Sequence, residues 1–157
     1  MKTWVCNVAA MIGLALCSLT AFSQDGFEKY FEAKRLRVDF ALSGDAQEQR
    51  AALQQLREEP VWGGPRKNLV DPFGYGGYYV KVYDRATKQL IYSRGFNTLF
   101  EEWRTTEQAK NQQQSWTNSF SMPYPKQPVE IELSARDKAD NRFYPLLKIE
   151  VDPQSIF

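Results

Sequence analysis

The chain has 157 residues, with 20 Lys and Arg against 19 Asp and Glu, 14% aromatic side chains and no histidine. Without histidine it cannot build a two-imidazole zinc site, nor a Ser-His-Asp or Cys-His relay. Balanced charge speaks against nucleic acid as a partner, which calls for a concentrated basic face.

The N-terminus carries Lys2, then an apolar run from Trp4 to Leu19, then Ala21-Phe22-Ser23. Charge, apolar stretch and small-residue exit together describe a secretory signal peptide over residues 1–23. As a membrane span the run is marginal, since about 20 predominantly apolar residues are needed to cross. A lipid anchor on Cys17 would require a small residue where Leu16 stands. The expectation is cleavage after Ser23 and export to the periplasm or the outside. Both cysteines, Cys6 and Cys17, leave with the leader, so the mature chain from Gln24 must fold without disulfides. Removing Lys2 leaves 19 basic against 19 acidic residues, and residues 24–157 suit a single domain.

Strand signals follow. Leu36, Val38, Phe40 and Leu42 alternate with Arg37, Asp39, Ala41 and Ser43, the period of a strand with one buried face. Tyr78, Val80 and Val82 alternate with Tyr79, Lys81 and Tyr83. The polar Asp84 to Gln89 turn and the returning Leu90 to Arg94 make Gly77 to Arg94 a hairpin. Val129, Ile131 and Leu133 alternate with Glu130, Glu132 and Ser134, and Leu147, Ile149 and Val151 with Lys148 and Glu150. One-sided strands at this spacing predict two antiparallel sheets face to face, an all-β, Ig-like β-sandwich. Its shared core is expected from Leu36, Val38, Phe40, Val80, Val82, Ile131, Leu133 and Ile149.

Two segments are less regular. Thr98 and Glu101 have capping-box spacing, and Leu99, Phe100 and Trp103 fall on one helical face, which predicts a short helical insertion that restarts near Thr105. Asp45 to Glu59 is rich in helix formers and starts with Asp45 and Glu48 at cap spacing. Sequence alone reads as a helix there, whereas an all-β frame needs a strand; a strand is favoured over Arg50 to Leu56, and helix or strand stays open over residues 46–59.

Several residues could act at a surface. The loop Val70 to Gly77 carries Phe73 and Tyr75 among turn-formers. Aromatics usually serve the core, so the ordinary expectation is rings packed on the sandwich; exposed, they would stack on sugar rings or grip a peptide. Trp62 and Trp103 share that ambiguity, with core packing the expected outcome. Trp62, Phe73, Tyr75, Tyr79 and Trp103 are the candidate interaction surface. Glu101 and Glu102 are adjacent, so on a helix they diverge by about 100° and make a poor glycosidase pair. Asp39 or Asp84 could serve as a distant partner, and no spacing selects either. Pro123 to Pro128 reads as a stiff crossover into the next strand. Arg66 and Lys67 after Gly63-Gly64 read as solvated surface. No DxDxDG-like loop is present, and no cofactor or metal is expected.

The blocks Ile91-Tyr92-Ser93, Gly95-Phe96, Leu99-Phe100, Glu102-Trp103, Thr106 to Ala109, Ser119-Phe120 and Pro123 to Pro128 occur together. Upstream stand Leu36 to Phe40 and Gly44-Asp45-Ala46, with a looser match over Pro60 to Leu69. In these the chain resembles the N-terminal, non-catalytic domain of the M64 (IgA-type) zinc metallopeptidases of Bacteroides-like bacteria, across nearly all of the mature chain. The resemblance implies no reaction of its own. It implies an accessory domain that packs against a zinc peptidase domain or presents protein substrate to it. A free-standing carbohydrate- or protein-binding module at the cell surface is the alternative, and a small enzyme with an unrecognised carboxylate site is a third.

Overall fold

The structure is a computed structural model, and it describes residues 26–155. The expected leader over residues 1–23 lies outside the described residues. A single helical turn, α1 (Gly26–Tyr30), runs directly into β1 (Phe31–Gly44), followed by β2 (Gln49–Glu59), β3 (Tyr78–Asp84) and β4 (Leu90–Phe96). After the short helix α2 (Leu99–Trp103) and a 3-10 turn at Gln108–Lys110 come β5 (Gln114–Pro125), β6 (Val129–Arg136) and β7 (Phe143–Val151).

All strand pairs are antiparallel, in a three-stranded sheet β2-β1-β5 and a four-stranded sheet β4-β3-β6-β7. This is the all-β sandwich that the alternating patterns predict. In the four-stranded sheet the hairpin β3–β4 lies on one side and the hairpin β6–β7 on the other. In the other sheet β1, rather than β2, lies beside β5. Pro123 and Pro125 end β5 in one sheet and Pro128 precedes β6 in the other, so the proline-rich block is a crossover.

β2 is a strand over Gln49–Glu59, extended beyond the expected Arg50 to Leu56. The helix-like signal at its start has a local cause. Asp45 Oδ1 accepts from the backbone N–H of Gln47 and of Glu48, both at 2.9 Å, which is the chemistry of an N-cap used to close a hairpin turn. These two bonds also hold the Asp45 carboxyl below its ordinary pKa. Gly44 makes the reversal possible at φ +144°, where a Cβ would strike the Glu48 backbone. Gln54 has no partner on β1, because Asp39 faces Gln55 and Phe40 faces Leu53; this bulge resets the alternation.

The core is two clusters rather than the single one expected. Leu36, Val38, Val80, Val82 and Ile131 belong to the first, and Phe40 and Leu133 to the second. Half-buried Phe96 and Phe120 touch both and join them. Ile149, on edge strand β7, packs only partly buried against the first. α2 closes the second cluster with Phe100, fully buried. Its N-cap is Thr98, whose side chain accepts from Glu101 N, as the capping-box spacing predicts. Leu99 breaks the expected common face: it is exposed while Phe100 is inside.

Candidate binding face on the loop end of the sandwich

The loop between β2 and β3 positions the candidate residues. It leaves β2 at the end of the sandwich where the chain enters, and Trp62 N donates to Ala33 O at 2.9 Å. Trp62 then turns inward. Its ring meets Tyr92 edge-on at 6.3 Å, its Nε1 donates to Pro65 O at 3.0 Å, and it is 8% exposed. The core expectation for Trp62 holds, and the residue is not free to meet a partner. Beyond it the loop runs along β4, where Ser93 N donates to Leu69 O at 3.0 Å.

From Asp71 onward the loop crosses the outer face of the four-stranded sheet, over Tyr79. Tyr79, one of the candidate interaction residues, alternates with the inward Tyr78 and Val80. It is 6% exposed, because the loop covers it. The Tyr79 hydroxyl donates to Asp71 O at 2.8 Å and lies 3.0 Å from Ser93 Oγ, which in turn accepts from Asp71 N at 3.0 Å. A buried phenol with satisfied bonds is a fastener.

Further along, Arg136 at the end of β6 holds the loop from the other side. Its Nε donates to Gly76 O at 2.9 Å, its Nη2 donates to Gly74 O, and its own backbone N–H reaches Gly77 O at 2.7 Å. Gly76 stands at φ +101°, and a Cβ there would collide with the Phe96 backbone; a Cβ on Gly95 would run into the Tyr75 carbonyl. The backbone between Asp71 and Gly77 is therefore fixed by a tyrosine, a serine and an arginine of the sheet, and by glycine where it approaches β4.

On this fixed backbone Phe73 and Tyr75 point outward. They are 70% and 74% exposed and stack on each other with centroids 5.6 Å apart and planes 4° from parallel. The expectation that the loop packs its rings on the sandwich is overturned. Arg136 and the Asp71 bonds secure the loop through its backbone, so neither ring is needed to hold it. The pair itself lines a groove of about 390 Å³, together with Pro65, Leu69, Pro72, Tyr92, Arg94 and Gly95. Most of this wall is apolar, as ligand grooves generally are.

Trp103 is half-buried: it stacks on Phe100 at 5.7 Å, and its Nε1 reaches Gln108 Oε1 at 3.4 Å. Of the five candidate residues, the structure leaves Phe73 and Tyr75 as an exposed pair, buries Trp62 and Tyr79, and places Trp103 on α2. Nearby, a polar cleft of about 370 Å³ includes Gln49, Tyr78, Glu101, Arg104 and Arg136. Its groups are mostly engaged. Burial lifts the Tyr78 hydroxyl to a pKa of about 12, so it stays a neutral donor, to Gln49 Oε1 at 2.7 Å. Arg104 Nε donates to Asp45 O at 2.7 Å.

The carboxylates do not converge. Asp39 lies on the outer face of β1, bonded to Arg37 at 3.0 Å. Asp84 closes the β3–β4 turn at the other end from α2, where Thr87 Oγ1 and N donate to it and lower its pKa. Arg66 is occupied by Glu28 at 3.6 Å and by the Phe27 ring. Among the described residues, no group of three or more His, Cys, Asp or Glu side chains is placed to hold a metal ion.

Nothing in the sequence spacing ties Arg136 to a loop some sixty positions earlier. Curated proteins include no match to this chain. The family model described as the peptidase M64 N-terminus matches residues 26–145, which is most of the chain and every element from α1 into β7, and the chain belongs to that family.

Proposed function

We propose that this chain is an exported, non-catalytic accessory domain that presents protein substrate to a zinc peptidase domain of the M64 type, with the Phe73–Tyr75 pair as its gripping surface. The family match carries the reading, since it falls on the N-terminal domain and no catalytic domain is matched. Absence of histidine supports it, because the HExxH chemistry of a zinc peptidase needs two imidazoles.

Placement of the loops supports the presenting role. The first described residues and the last lie at one end: Lys126 N donates to Tyr30 O at 2.9 Å, and Tyr124 donates to Pro153 O at 2.6 Å. Phe73 and Tyr75 lie towards the opposite end, beside Arg136 and the start of β3. A domain joined at either terminus would meet the first end and leave the aromatic pair open. Rigid, exposed aromatics lose little conformational entropy on binding and supply large contact area.

A test mixes the purified protein with a separately expressed M64 catalytic domain and a denatured protein substrate. The expectation is no cleavage by this chain alone, with or without zinc, and faster cleavage by the catalytic domain in its presence. Phe73→Ala with Tyr75→Ala should remove the acceleration. Chelator-sensitive cleavage by this chain alone, or no effect on the catalytic domain, would overturn the proposal. The parallel Phe73 and Tyr75 rings also favour a second reading, a carbohydrate-binding module, and binding of soluble glycans lost in the same double variant would select it.

A further inference from the structure

A two-sheet sandwich has four edge strands, here β2 and β5 in one sheet and β4 and β7 in the other. An edge exposes unpaired N–H and C=O groups, and proteins blunt it with charges, proline, bulges or a covering loop. Three of the four are blunted. β2 has the bulge at Gln54 and the charges of Arg50, Arg57, Glu58 and Glu59. β7 carries Pro145, Lys148 and Glu150 and a register shift facing Leu133 and Ser134. β4 is covered by Leu69, whose carbonyl takes the Ser93 N–H.

β5 is not. It is 12 residues long, and none of them is charged. From Gln114 to Met122 it contains no proline, and its pairing with β1 is continuous from Arg35↔Pro123 to Gly44↔Gln114. Its outward side chains are Ser115, Thr117, Ser119 and Ser121, all small. We propose that two copies of this chain associate by antiparallel pairing of their β5 strands, joining the three-stranded sheets into one six-stranded sheet.

The occupant follows from the chemistry of the edge. Strand addition takes affinity from main-chain hydrogen bonds and specificity from pockets for alternate side chains. A row of serine and threonine forms no such pockets, so a foreign peptide has nothing there to be recognised by. A second β5 does fit. Two-fold pairing about the middle of the run sets Thr117 against Ser119 of the other copy, small against small. Because the run is uncharged, it meets its own copy without the like-charge repulsion that β2 or β7 would suffer. The contact is isologous, as a two-fold dimer requires. A single strand pair is a small interface, so association belongs in the micromolar to submillimolar range.

Light scattering and amide exchange across that concentration range test the proposal on the whole chain. The wild type should move from one to two copies, and the amides of residues 114–122 should gain protection as it does. Thr117→Lys with Ser119→Lys places like charges face to face and should leave a monomer. Thr117→Glu with Ser119→Glu should do the same, and an equimolar mixture of the two should restore the dimer. Ala52→Lys, on the outer face of β2, should leave association unchanged. A wild type that stays monomeric, a dimer without concentration-dependent protection in β5, or one that persists in both charged variants would overturn the proposal. The exchange result stands even if a variant folds poorly.

Discussion

The guanidinium of Arg136 lies over the ring of Phe143, 4.2 Å from its centroid, while donating to the carbonyls of Gly74 and Gly76. One side chain on β6 thereby joins the first residue of β7 to the loop that carries Phe73 and Tyr75. Tyr79 reinforces the junction, with its ring 5.1 Å from Phe143. Replacing Arg136 by alanine would remove together its bonds to two loop carbonyls, the bonds of Nη1 to Asn141 O and Oδ1 at 3.1 and 2.8 Å, and a cation–π contact. The expected cost is on the order of 1–3 kcal/mol, the range for losing charged hydrogen bonds. Amide exchange should quicken most over residues 71–77. Arg136→Lys should restore little, since a single ammonium cannot span both carbonyls with the geometry of a guanidinium. Uniform loosening of the whole domain would contradict this role.

Core and surface positions on the same strands should separate cleanly. Val82 and Ile131 face each other across β3 and β6 and are buried. Truncating either to alanine should destabilise by about 1–4 kcal/mol through lost burial and a residual cavity. Glu130 points to the other face and pairs with exposed Lys88 at 3.4 Å, so Glu130→Gln should cost less than about 1 kcal/mol. Denaturant titration of the three variants measures the difference, and equal losses would mean the register is wrong.

The outer face of the four-stranded sheet predicts an acid response. Ser93, Lys81, Glu132 and Lys148 stand in one row across β4, β3, β6 and β7. Burial pushes the Glu132 carboxyl up, but hydrogen bonds from Lys148 and Ser134 and the charges of Lys81 and Lys148 outweigh it and hold the group below its ordinary value. A depressed folded pKa contributes stability in full above the unfolded value, about 4.3 for glutamate, and loses it as pH falls through the folded value. Glu132→Gln should therefore lower stability at neutral pH and flatten the acid limb of the stability–pH curve. An unchanged acid limb would remove Glu132 from the account.

The parts of this architecture that rest on short-range pattern are plain in the sequence. Period-two alternation marks β1, β3, β6 and β7, and Thr98 with Glu101 marks the start of α2. What depends on distant partners is not. Asp45 reads as a helix cap because an Asx turn uses the same side-chain bond, and only pairing with β1 makes β2 a strand. Nothing local reveals that a loop crosses the face of Tyr79. Phe73 and Tyr75 stay outside because Arg136 secures their loop by its backbone, a contact no window of sequence contains.

Exposure of that pair separates stability from binding. Phe73 and Tyr75 touch each other and stand clear of both core clusters, so Phe73→Ala and Tyr75→Ala should each change stability by no more than about 0.5 kcal/mol, the usual range for surface sites. Trp62→Ala, which empties a buried site beside Tyr92, should cost about 3–5 kcal/mol. If the pair grips a partner, its two variants should lose most of the affinity at unchanged melting temperature, as truncated aromatic hot spots do. Trp62→Ala should lower the melting temperature first, and binding only as the fold is lost. Calorimetric titration beside thermal denaturation reads both quantities on the same samples. Retained affinity in the double variant would move the contact off this loop, to α2 with exposed Leu99 and half-buried Trp103.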